Sequence, residues 1–158
     1  MKKVLVAMAL FGSVAFAASL AVPWFFDTND TDSYPPPAQG PFDGSNTYIT
    51  LKNQTNAPIT LTIRYWRGTG EEVTPAVNTF VLPANVARSF TPASNLSSSE
   101  GAGAAIPNCD ESGGKVYGGS ATISWSGGAS DIVGRVYQVD NFTGSGLLTA
   151  SYTLPPGQ

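Results

Sequence analysis

Ile59-Thr60-Leu61-Thr62-Ile63-Arg64-Tyr65-Trp66 is the stretch that decides the fold. Side chains on an extended chain point alternately to opposite faces. Ile59, Leu61, Ile63 and Tyr65 therefore share one face, and Thr60, Thr62, Arg64 and Trp66 share the other. Such alternation in a run rich in β-branched and aromatic residues reads as a strand with one buried side. The same period of two continues outward in both directions. Upstream, Tyr48-Ile49-Thr50-Leu51 alternates, and Asn53-Gln54-Thr55-Asn56-Ala57-Pro58 supplies turn residues between the two runs, which predicts a hairpin. Downstream, Phe80-Val81-Leu82 and Val86-Ala87-Arg88-Ser89-Phe90 flank Pro83-Ala84-Asn85. From Gly119 to Ser126, Ala121, Ile123 and Trp125 fall in phase. From Asp131 to Val139, Val133, Tyr137 and Val139 do so, with Gly134 as a bulge or a close approach. The last run, Leu147 to Leu154, groups Leu148, Ala150, Tyr152 and Leu154.

These runs make about seven or eight short strands separated by turn signals, and the economical architecture is a single antiparallel β-sandwich. A closed barrel is the alternative. Helical periodicity is confined to the N-terminal leader. The chain has 158 residues, with 42% hydrophobic and only 12% charged. That length suits one domain, and the apolar fraction argues against disorder. Ser94 to Gly114 carries no strand pattern, so a long irregular loop is expected there.

The first residues read as a secretory leader. Met1-Lys2-Lys3 is positive, Val4 to Ala17 is apolar, and small residues occupy the −3 and −1 positions of two cuts, Ala15-Phe16-Ala17 and Ser19-Leu20-Ala21. The expected division is a signal peptide over 1–21, an apolar segment and acidic Pro-rich arm over 22–46, and the sandwich over 47–158. After cleavage no apolar stretch reaches spanning length. The short lysine-led leader points to a bacterial protein that is secreted, periplasmic or displayed at the cell surface.

Several function classes are disfavoured by composition. No His is present, which removes the commonest general base and any Ser-His-Asp arrangement. Cys109 is the single cysteine, so an internal disulfide is excluded and a Cys/His zinc set is incomplete. Net charge is −3, and loss of Lys2 and Lys3 with the leader makes the remainder more acidic. The other cations are scattered, and nucleic acid requires a positive stripe. Asp27-Thr28-Asn29-Asp30-Thr31-Asp32 offers oxygen ligands, but Asp32 stands where a calcium loop needs Gly, and Ala38 where it needs Glu. Glu71-Glu72 is a paired carboxylate whose members should diverge rather than face each other across a cleft. Gly101-Ala102-Gly103 lacks the Lys-Ser/Thr of a phosphate loop. No catalytic residue, metal site or cofactor is expected, and the chain reads as non-enzymatic.

Aromatic residues carry the binding signal. Val22-Pro23-Trp24-Phe25-Phe26 is costly to leave in water and is expected to pack as a strand or hook. Trp66 lies opposite the apolar face of its strand, whereas Trp125 is in phase with Ile123 and belongs to the core. Trp24, Phe25, Phe26 and Trp66 are the candidate contacts for a protein partner or a glycan. Sequons at Asn29, Asn53, Asn95 and Asn141 read as turn composition in a bacterial chain.

The blocks Ile49 to Trp66, Asn78-Thr79-Phe80-Val81-Leu82-Pro83-Ala84-Asn85 and Asp131-Ile132-Val133-Gly134-Arg135-Val136 resemble small bacterial secreted β-sandwich domains. More distantly they resemble the sensory-rhodopsin-transducer-like sandwiches. The resemblance covers roughly Thr47 to Val139 and implies an immunoglobulin-like topology; it transfers no functional residue. The function expected on these grounds is a secreted structural or surface-associated protein acting through protein–protein contact or self-association. A carbohydrate-binding module is the alternative.

Overall fold

The alternation in the opening stretch becomes β3 (Ile59–Arg67), whose Leu61, Ile63 and Tyr65 are fully buried. The computed structural model describes residues 17–26, 45–92, 106–109, 118–140 and 147–157. Eight strands lie among them, in two four-stranded antiparallel sheets. The first sheet runs β1 (Ala17–Phe26), β6 (Gly118–Ser126), β3 and β4 (Thr79–Leu82) in spatial order. The second runs β5 (Ala87–Phe90), β2 (Ser45–Asn53), β7 (Ile132–Asp140) and β8 (Leu147–Thr153).

One core lies between the sheets. Val22, Phe25, Leu61, Ile63, Tyr65, Ile123 and Trp125 come from the first sheet, and Ile49, Leu51, Ile132 and Val136 from the second. Each fully buried aliphatic side chain of this kind contributes roughly 1.5–3 kcal/mol. Phe80 and Phe90 meet across the gap with ring centroids 6.4 Å apart. The result is an all-β, sandwich-like fold without an α-helix among the described residues.

The expected hairpin between β2 and β3 does not form, because the two strands belong to different sheets. The Asn53 side chain explains the departure. It is fully buried, its Nδ2 donates to the carbonyls of Ala57 (2.8 Å) and Leu82 (3.0 Å), and its Oδ1 accepts from the backbone N–H and hydroxyl of Thr55. Local bonds of this type compete with ladder pairing, and here they lift the chain across the core as an arch. A second arch joins β4 to β5. Its Asn85 adopts φ 60°, a left-handed conformation that Asn tolerates. The arches are bonded to each other through Asn85 N–H to Thr55 O and Asn53 N–H to Val86 O, at 3.1 and 3.0 Å. Gln54 adds the β7 side, donating from its backbone to Asp131 O and from its side chain to Ser130 O. Residues from all three sequence blocks therefore converge at one end of the molecule.

Two other expectations meet a different arrangement. In β7 the buried phase is Ile132, Gly134 and Val136, while Val133 is exposed and Tyr137 half-buried. Gly134 is the reason: a Cβ there would lie 2.5 Å from Leu154 Cδ1 and 3.1 Å from Leu51 Cδ2, so these leucines fill the space above its backbone. The core also ignores the boundary expected at Thr47, since β1 supplies Leu20, Val22 and Phe25 to it. Most of the Ser94–Gly114 loop lies outside the described residues, but Pro107, Asn108 and Cys109 are buried. Tyr65 donates its hydroxyl to Pro107 O at 2.8 Å, and Cys109 is held to Pro92 O through both N–H and Sγ. The leader residues 1–16, the Asp27–Asp32 cluster, the Tyr34–Pro37 arm and Gly101–Gly103 also lie outside the described residues.

Candidate aromatic groove and hydroxyl face

The far end of β3 from the arches carries Trp66 and Arg67, and β1 brings Trp24 to the same place. Pro23 has no N–H to give to a ladder, and the β1–β6 register shifts between Val22 and Phe25. The shift, a bulge-like irregularity, re-aims the following side chains. Phe25 turns into the core, fully buried and edge-on to Tyr65 at 6.1 Å. It is not available to a partner, contrary to expectation. Trp24 is 47% exposed and stacks on half-buried Phe26, with centroids 5.7 Å apart and planes 8° apart. Tyr152 of β8 donates its hydroxyl to Trp24 O at 2.7 Å, which pins the strand to the second sheet. Burial pushes the Tyr152 phenol above its ordinary range.

Trp24 and Trp66 line one shallow groove of about 630 Å³, together with Pro23, Arg67 and the stretch Gly118-Gly119-Ser120. Gly119 forms its floor because no other residue fits. A Cβ there would stand 1.9 Å from the Trp66 carbonyl oxygen, and that atom belongs to backbone that cannot swing aside. The Arg64 guanidinium lies 5.2 Å from the centre of the Trp66 ring, within cation–π range. Arg64 also forks onto Glu72, Nε to Oε1 at 2.9 Å and Nη2 to Oε2 at 2.6 Å. Hydrogen bonding from Arg64 holds the Glu72 carboxyl below its usual range. Glu71 sits 3.6 Å from Arg67 Nε. Both glutamates are thus turned toward arginines, and they do not face each other across a cleft.

The outer face of the first sheet leads away from this groove and carries Ser and Thr hydroxyls. One row reads Ser19, Ser124, Thr62, Thr79 across β1, β6, β3 and β4. The next reads Ala21, Thr122, Arg64, and the third pairs Ser120 with Trp66. Each hydroxyl both donates and accepts. The alternation of β3 and β6 places these residues on the outer face, but only the register aligns them into rows. A second aromatic pair, Tyr48 and Tyr137, stacks at 4.9 Å on the second sheet. Directly opposed residues on β2 and β7 explain it, and sequence reasoning missed it.

Among the described residues no cluster of three His, Cys, Asp or Glu is placed to hold a metal, and no helix is long and apolar enough to cross a membrane. Fold and groove together define an all-β two-sheet domain with an aromatic groove at one end. No family model and no curated protein matches the chain. Among solved structures, the crystal structure of Thermotoga maritima 1070 is similar with a TM-score of 0.52, over 87% of this chain and 92% of that one. Identity is 9%, so the likeness extends to the fold alone.

Proposed function

We propose that the chain is a secreted, non-catalytic carbohydrate-binding module that takes an extended glycan along the first sheet's outer face. The observation that carries this reading is the placement of Trp24 and Trp66 on one groove, with a row of Ser and Thr and further single hydroxyls on the sheet face leading away from it. Sugar rings offer apolar faces to flat aromatic platforms and hydroxyls to polar side chains, and this surface supplies both. The fold is read as immunoglobulin-like. In support, β1-β6-β3 and β2-β7-β8 reproduce the strand orders B-E-D and C-F-G, leaving β4 and β5 as an inserted arch. The test is a panel of soluble and insoluble polysaccharides bound to the parent and to Trp24→Ala and Trp66→Ala. Binding by none of them, or binding unchanged in both variants, removes the proposal.

A second reading, contact between copies, is favoured by one observation. β1 is an edge strand joined to β2 through residues 27–44, so the same β1–β6 pairing between two chains would use the same bonds. Light scattering on the exported protein separates the readings: a monomer that binds glycan supports the first, and strand-exchanged oligomers the second.

A further inference from the structure

We infer that export processing cuts the chain between Ala17 and Ala18, and not after Ala21. The inference rests on the leader reading above. It concerns two cuts that sequence leaves equivalent, since both offer small residues at −3 and −1. The fold separates them. Ala18, Ser19, Leu20 and Ala21 pair in turn with Trp125, Ser124, Ile123 and Thr122 of β6. Leu20 is part of the core. The other edge of the same four residues is also engaged: Ala21 N–H donates to Pro155 O at 3.0 Å, and Gly157 N–H donates to Ser19 O at 2.8 Å. The C-terminal segment thus closes the outer edge of β1, lying so near that a Cβ on Gly157 would fall 2.2 Å from Ser19 Oγ.

A cut after Ala21 removes all of this. It bares the β6 edge from Thr122 to Trp125, and an unpaired edge is a template for aggregation. It also places the new ammonium on Val22, which is fully buried, and an uncompensated buried charge is costly. A cut after Ala17 places the ammonium on half-buried Ala18, beside exposed Ser126 at the end of the ladder. The reaction is hydrolysis of the Ala17–Ala18 peptide bond by an export-linked peptidase. Water adds across it, leaving a carboxylate on Ala17 of the leader and an ammonium on Ala18. The released leader is then residues 1–17, and β1 is the first segment of the exported chain.

The experiment is export of the untagged full chain from a bacterial host, followed by intact-mass measurement and N-terminal sequencing. Ala18 as the first residue is the expected result. Val22 as the first residue overturns the inference while leaving the leader reading intact. An uncut Met1 start overturns both. Chains produced directly from Ala18 and from Val22 give a second readout, in which the Val22 chain should melt at least 10 °C lower or aggregate. Equal melting temperatures would show that residues 18–21 are dispensable and overturn the inference.

Discussion

The two ends of the molecule are built on opposite terms. At the arch end, polar groups are bonded across strands: Asn53 is fully enclosed and makes four hydrogen bonds, and the exposed Gln54 and Asn85 tie separate strands together. At the groove end, Trp24 is half in water, Trp66 is partly covered by an arginine, and the ion pairs are exposed. A buried polar group costs the most when its partner is lost, whereas an exposed aromatic stabilises little and is free to stack on a ligand. The difference teaches where each task lies: the arch end fixes topology, and the groove end is left open for the contact proposed above.

Asn53→Ala is the strongest way to break that contrast. It removes the buried donor to the Leu82 carbonyl and the acceptor of the partly buried Thr55 N–H, and it empties a fully buried side-chain site, at an expected cost of about 3 kcal/mol. Thermal unfolding should show a fall of about 10 °C for a chain of this size. A fall no larger than that of Trp24→Ala would mean the ends do not differ. Gly134→Val comes next. The added side chain must displace Leu154 and Leu51, and overpacking of this kind costs roughly 2 kcal/mol. Urea unfolding with an unchanged m-value would confirm a change in stability alone.

The body of the fold was legible in the sequence because strand period and burial are the same signal. Leu61, Ile63, Tyr65, Ala121, Ile123 and Trp125 are buried where alternation places them. Pairing was not legible, since period two specifies a face and not a neighbour. A six-residue turn between alternating runs suits a hairpin or an arch equally, and the choice rests on the Asn53 bonds across the core. The β7 phase failed for a related reason. Gly134 has no side chain to count, yet it marks the buried face because other side chains fill its place. Of the four candidate contact residues, Trp24, Phe26 and Trp66 were placed together by the register, while the shift after Val22 sent Phe25 inward. No local pattern in Val22–Phe26 announces that shift apart from Pro23.

A smaller effect sharpens the groove end. Trp66→Ala should reduce glycan affinity about tenfold, equivalent to roughly 1.4 kcal/mol and typical of one aromatic contact. Its melting temperature should move by only a few degrees, because Trp66 lies outside the core and is only partly buried at the groove. Isothermal titration against the best polysaccharide fragment, paired with calorimetric unfolding, measures both quantities on one sample. Loss of stability without loss of affinity would turn Trp66 into a packing residue and return the groove to the fold.

The smallest effect concerns the Arg64–Glu72 pair that flanks Trp66. The Glu72 carboxyl is held below its usual range chiefly by its hydrogen bond from Arg64, and the Arg64 guanidinium stays charged throughout. A lowered carboxylate pKa stabilises the folded chain above the ordinary glutamate range, and that contribution disappears as pH falls through the lowered value. Glu72→Gln should therefore differ from the parent at neutral pH and converge with it in acid. Because both groups are exposed, salt should erase the difference as well. A carboxyl titration followed by NMR at low and high salt checks the sign directly. An ordinary pKa at low salt would show that Arg64 is free to leave Glu72, and the cation would then no longer be held over the Trp66 ring.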